Sequence, residues 1–139
     1  MTSYAGDISP LQAWEKLAST PEARLVDVRT QAEWQFVGVP DLSGMEQQPL
    51  LISWQVFPTM ARNEAFAQQL AGQGVEKDTP LLFLCRSGVR SKAAAEVMTT
   101  LGYTRCWNIS DGFEGPLDGS RHRGTQAGWQ ASGLPWLQG

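Results

Sequence analysis

The chain has 139 residues, a formal net charge of −3 and a single histidine. That length suits one domain, 1–139, with a real core. The mild acidity argues against nucleic acid or an anionic membrane as main partner, though not against a local basic pocket, and no apolar run approaches the roughly 20 residues needed to span a bilayer.

The opening MTSYAGDISP lacks the positive-then-apolar layout of a signal peptide. A cytoplasmic location with reduced thiols is therefore expected, and Cys85 and Cys106 are not expected to pair. With His122 as the only histidine and no CxxC spacing, no metal site is expected. Nothing calls for a cofactor.

In chain order, the first element is a helix opening in ISPLQAWEKLAST. Ser9 can cap it, Pro10 suits its first position and Gln12 completes a capping box. Leu11, Trp14, Leu17 and Ala18 are expected on its inner face. RLVDVR (24–29) reads as a short buried strand ending in charges. Thr30 with Glu33 forms a second capping box over TQAEWQ. GVPDLSGMEQQP (38–49) reads as loop, and LLISW (50–54) as the next strand. Asn63 can cap a helix running to about Leu70, with Phe66 and Leu70 inward and Gly72 and Gly74 as its stop.

PLLFLC (80–85) is apolar without alternation, as a central parallel strand covered on both faces would be. A helix follows from Ser91 to Leu101, with Ala94, Val97, Met98 and Leu101 inward. RCWNI (105–109) is one more strand, 111–124 is irregular, and TQAGWQASGLPW (125–136) reads as a last helix. Strands and helices alternate, which predicts an α/β fold with a mostly parallel sheet.

The chemistry concentrates in CRSGVRS, residues 85–91. Cys85 ends a buried strand, where open α/β sheets bind ligands. The loop runs into a helix N-terminus, whose free N–H groups and dipole favour an anion. Gly88 permits a turn that aims several N–H groups at one centre. Arg86 and Arg90 add two permanent positive charges. Together these features stabilise a thiolate over a thiol. A lone cysteine is more often an inert core residue, and Cys106, mid-strand beside Trp107, fits that description. At Cys85 the coincidence of strand end, cationic glycine loop and helix start points to a nucleophile.

Two chemistries use this layout: phosphoryl transfer through a phosphocysteine and sulfur transfer through a persulfide. Cysteine phosphatases and the related arsenate reductases have five residues between cysteine and arginine. Here four separate Cys85 from Arg90. The tighter cradle is better matched to one extra sulfur than to a tetrahedral phosphate.

CRSGVRS resembles the active-site loop of the rhodanese-like sulfurtransferases. LVDVR (25–29) followed by EW (33–34) is similar to that family's first strand and short helix. SKAAAEVMTTLGYTRCWNISDGF (91–113) resembles its post-loop helix, next strand and glycine turn, and AGWQASGLPW (127–136) its closing helix. The resemblance covers nearly the whole chain as a single domain. It implies a three-layer fold with a central, mostly parallel sheet of about five strands and helices on both faces. Where the family often continues with a GHIPGA-type segment, this chain has GVPDLSGMEQQPLLISWQVFP, and PLDGSRHRG stands before the final segment. These two departures, at 38–58 and 115–124, are expected to bear on substrate choice.

The implied reaction is double displacement. Cys85 takes the outer sulfur of a small anionic donor such as thiosulfate, then yields it to cyanide, a small thiol or a protein thiol. Backbone N–H groups from Arg86 through Ser87, Gly88, Val89 and Arg90 to Ser91 are expected to face the transferred sulfur. Arg86 is expected to grip the donor, and Arg90 to brace the loop against a carboxylate, with Asp27 one possible partner. Ser91 is expected to cap the helix with its hydroxyl, and Ser87 to bond within the loop. Arg29 and Glu33 read as a structural ion pair at i, i+4. His122 reads as solvated, and Trp54 and Trp129 as mainly core residues that could wall the pocket. The other readings are a cysteine-dependent phosphatase or arsenate reductase, and a sulfur carrier or regulatory module without turnover.

Overall fold

A computed structural model describes residues 4–56, 59 and 61–138. Phe57 and Pro58, which end the unusual 38–58 segment, lie outside the described residues.

Five strands form one parallel sheet: β1 (Gly6–Ile8), β2 (Arg24–Asp27), β4 (Leu50–Leu51), β7 (Leu81–Leu84) and β8 (Cys106–Ile109), in the spatial order β1-β8-β7-β2-β4. The most apolar strand is the central one. All four residues of β7 are buried, and Leu81–Leu84 pairs residue for residue with Arg24–Asp27. The strand's period of two splits its side chains between two cores. Leu81, Phe83 and Cys85 face one, and Leu82 and Leu84 the other.

On the Phe83 side lie α3 (Phe66–Ala71) and α4 (Val89–Thr100), through Phe66, Leu70, Ala94, Ala95 and Met98. On the Leu82 side lies α1 (Pro10–Ser19), through Ala13 and Leu17, together with Phe113 and Trp129. The three-layer α/β arrangement with helices on both faces is thus the one expected. Burying a side chain such as Phe83 contributes about 1.5–3 kcal/mol. Among the described residues, no helix is long and apolar enough to cross a membrane.

Local signals decide the helix starts. Ser9 accepts from the Gln12 amide while the Gln12 side chain accepts from the Ser9 amide, and Pro10 opens α1. Thr30 and Glu33 do the same for α2 (Gln31–Phe36). The inner face of α1 is rotated from the expected one. Pro10, Ala13 and Leu17 are buried, while Leu11 is 52% exposed and Ala18 also faces outward. Leu17 belongs to both stripes; the small Ala13 lets the helix sit close to the sheet. Helix α3 starts at Phe66 after Ala65, because the Asn63 side chain accepts from the Ala65 amide in a turn instead of capping directly.

The expected last helix over 125–136 does not form. Its backbone donors are taken elsewhere: the amides of Trp129 and Gln130 donate to the carbonyls of Gly112 and Phe113, at 2.8 and 3.1 Å. The segment wraps the turn after β8 and ends in β9 (Trp136–Leu137), antiparallel to β3 (Val39–Pro40). A second small ribbon pairs β5 (Gln55–Val56) with β6 (Ala61–Arg62).

Candidate active site

Cys85 follows directly on β7, at the carboxyl end of the sheet. Its carbonyl accepts from Phe113 at 2.8 Å, and the Arg86 carbonyl accepts from Glu114 and Gly115 at 3.0 and 3.1 Å. The turn after β8 therefore holds the start of the loop from below. Gly112 sits so close that a Cβ there would collide with the Cys85 carbonyl and lie 2.6 Å from Arg86 backbone atoms. Only a residue without a side chain lets the two segments meet.

From Cys85 the loop turns through Gly88, at φ +109°, into α4. Helix α4 begins at Val89, two residues earlier than expected. Gly88 stands at its N-cap with no side-chain cap. That removes Ser91 from the capping role. Ser91 lies inside the helix, fully buried, and its Oγ is 3.2 Å from Cys85 Sγ and 2.6 Å from Asn108 Oδ1. Gly88 N–H donates to the same sulfur at 3.1 Å. At the far end of α4, Leu101 is 49% exposed, outside the inner face assigned to it.

The charges pair differently from the sequence expectation. Arg29 does not bind Glu33. Its guanidinium turns back onto Asp27 at 2.7 Å, with both side chains fully buried, donates to the Gly38 carbonyl at 2.7 Å and lies 4.2 Å over the Phe113 ring. This ties the end of β2 to the segment after α2, and it uses up Asp27. Arg90 instead forms a two-pronged pair with Glu33, at 2.7 and 2.9 Å. Burial pushes the Glu33 carboxyl up, but the Arg90 hydrogen bonds and charge, with the Thr30 amide, outweigh it and hold it below the usual range. Burial likewise opposes the Arg90 charge, and Glu33, then Cys85 and Asp27, more than offset it. The brace runs between α2 and the first turn of α4, and Asp27 is already taken by Arg29.

The loop forms one wall of an open basin of about 600 Å³, with Cys85 at its floor and Glu33, Val37, Gln55 and Glu114 around it. Arg86 is exposed at its edge and makes no ion pair among the described residues. Ser87 lines the basin and Val89 is 77% exposed. Of the two unusual segments, 38–58 reaches the basin through Gln55, while 115–124 contributes no lining residue. Trp54 and Trp129 are core residues on opposite faces of the sheet and do not line it. His122 lies exposed in the Asp118 turn. Cys106 is fully buried, and burial pushes its thiol up to about 11.

Sequence reasoning missed Asn108. It is 4% exposed, and its Nδ2 donates to Asp7 Oδ1 at 2.9 Å. The available signal was a lone amide within the strand CWNI, where a buried polar group needs partners.

The comparisons with known proteins agree with the fold. The family model described as "STR4 middle domain" matches residues 5–139. The crystal structure of Rv0390 from M. tuberculosis superposes with a TM-score of 0.91 at 52% identity, covering 99% of this chain and 100% of that one. An uncharacterized RP600 homolog from Rickettsia rickettsii is 40% identical over 94% of this chain and 95% of its own length. Thiosulfate sulfurtransferase GlpE from Actinobacillus pleuropneumoniae is 26% identical over 97% of this chain and 95% of its own. A rhodanese-like domain protein from Staphylococcus aureus shares the fold, with a TM-score of 0.58 at 20% identity over 94% and 96% of the two chains. The chain belongs to the rhodanese-like family. Its relatives include proteins named as sulfurtransferases.

Proposed function

We propose that this protein is a sulfurtransferase that moves a sulfane sulfur from a thiosulfate-like donor to a thiol acceptor through a persulfide on Cys85. The observation that carries the reading is the setting of Cys85 Sγ. It lies at the floor of an open basin and accepts from Gly88 N–H, at the start of an uncapped helix.

The Cys85 thiolate attacks the outer sulfur of thiosulfate. The new Sγ–S bond forms as the S–S bond to sulfite breaks, and sulfite leaves with the bonding pair. Sulfite is a stable anion and needs no proton, so a positioned base is unnecessary; the loop donors and the helix N-terminus carry the charge. An acceptor thiolate, from a small thiol or a protein, then attacks the outer sulfur and returns Cys85 to its thiolate. Arg86, exposed at the basin edge, is the group placed to hold the anionic donor. Arg90 is the brace. Its guanidinium is already held on two sides by Glu33, which argues against a phosphatase that would need that fork for phosphate.

The test is thiocyanate production from thiosulfate and cyanide by the native chain and by Cys85→Ser. The proposal expects turnover in the first and none in the second. No thiocyanate from either, with hydrolysis of an aryl phosphate that depends on Cys85, would overturn it.

A further inference from the structure

Ser91 Oγ has two neighbours that accept hydrogen bonds and one proton to give them. Asn108 Oδ1 is at 2.6 Å and Cys85 Sγ at 3.2 Å. The orientation of the Asn108 amide is settled from its other side. Asp7 Oδ1 lies 2.9 Å from Asn108 Nδ2 and also accepts from the Tyr4 hydroxyl at 2.8 Å. Those bonds, Asn108's first, hold the Asp7 carboxyl below its usual range. An ionised carboxylate only accepts, so the amide nitrogen must face Asp7 and the amide oxygen must face Ser91. That oxygen also only accepts. Ser91 therefore donates to Asn108, and what it offers the sulfur in that state is a lone pair.

We propose that Asn108, oriented by Asp7, is a positioning residue that competes with the Cys85 sulfur for the Ser91 proton and so biases the site against the free thiolate and toward the loaded persulfide. With a Cys85 thiol, every partner is satisfied: S–H donates to Ser91 Oγ, and Ser91 donates to Asn108. With a thiolate, Ser91 turns its proton to the sulfur and leaves Asn108 Oδ1 unpartnered in the interior, which is costly. Once sulfur is loaded, the negative charge moves to the outer atom and Sγ becomes a neutral bridging sulfur. Ser91 then returns to Asn108, while the outer sulfur faces the loop N–H groups. The charged groups lining the same basin are Arg86 from the loop, Arg90 from the first turn of α4, Glu33 from α2 and Glu114 from the turn after β8. They set the field in which this competition acts.

The inference rests on Cys85 being the working nucleophile, but its test needs no sulfur donor. The ultraviolet absorbance of the thiolate is followed against pH in the native chain, Asn108→Leu, Ser91→Ala and the double variant, with Cys85→Ser as blank for the other thiol and the tyrosines. Asn108→Leu is expected to move the midpoint about one pH unit lower, the size of one hydrogen bond to a charged group. In the Ser91→Ala background the same substitution is expected to move it by less than about a third of that. An unchanged or higher midpoint in Asn108→Leu, or an equal drop without Ser91, overturns the proposal. Asp7→Asn, at an exposed position, covers the case in which Asn108→Leu does not fold. It frees the amide to turn its nitrogen to Ser91, so a smaller drop that again requires Ser91 is expected, and no drop overturns the proposal. A chain that passes this test yet makes no thiocyanate refutes only the sulfurtransferase reading.

Discussion

Cys85 and Cys106 are 1% and 0% exposed, belong to the same apolar core, and lie respectively just beyond β7 and within its neighbour β8. What separates them is position along the strand. Cys106 is the first residue of β8, within the ladder, paired across from Leu81. Its thiol lies 3.7 Å from the Tyr103 carbonyl, and desolvation outweighs the Thr99 hydroxyl and keeps it a thiol. Cys85 lies one residue past the end of β7. There the backbone is free to curl, Gly88 N–H donates to its sulfur at a helix start, and the Arg90 charge acts on it. Burial alone does not make a cysteine inert; burial without a backbone N–H, a helix start and a cation beside the sulfur does.

The contrast can be broken at several points. The largest effect is expected from the two serine variants compared in one sulfur-transfer assay. Cys85→Ser falls to background, whereas Cys106→Ser keeps its rate within about twofold and loses about 1–3 kcal/mol of stability to a poorly paired buried hydroxyl. Equal losses of activity would erase the distinction. Next comes Gly112→Ala, which drives a methyl into the Cys85 carbonyl and must move the loop. A loss of about 1–3 kcal/mol in denaturant unfolding is expected, with a lower kcat.

Glu33→Gln removes the Arg90 brace and is expected to cost about 1.5–3 kcal/mol. The folded-state carboxyl is held below its ordinary value of 4.5. The contribution is therefore full above that pH and fades as pH falls through the lower folded value. The stability gap between native chain and variant should close in acid; a gap that widens there contradicts the brace. Arg86→Ala is expected to raise KM for thiosulfate about tenfold, one charged contact's worth, while leaving the folding midpoint unchanged.

Much of this was legible because its causes are local. The two capping boxes are each closed by residues three apart, and the apolar run 80–85 needs only its own composition to read as a central strand. The Cys85 loop is also contiguous. What escaped depends on distant parts of the chain. Strand β1 is three residues long and is defined by its pairing with β8, a hundred residues away in sequence. The 125–136 segment has helical composition, but the carbonyls of Gly112 and Phe113 take its donors. Arg29 and Glu33 have the right spacing for each other, yet Asp27 and Arg90 offer each of them a two-pronged partner. Ser91 reads as a cap if the helix starts there, but α4 starts two residues earlier, and inside it the same hydroxyl faces the sulfur.

The most direct measurement is the intact mass of the protein after exposure to thiosulfate, with Cys85→Ser alongside. The account predicts one added sulfur on the native chain, lost on treatment with a small thiol, and none on the variant. No adduct on the native chain, or the same adduct on Cys85→Ser, would contradict it.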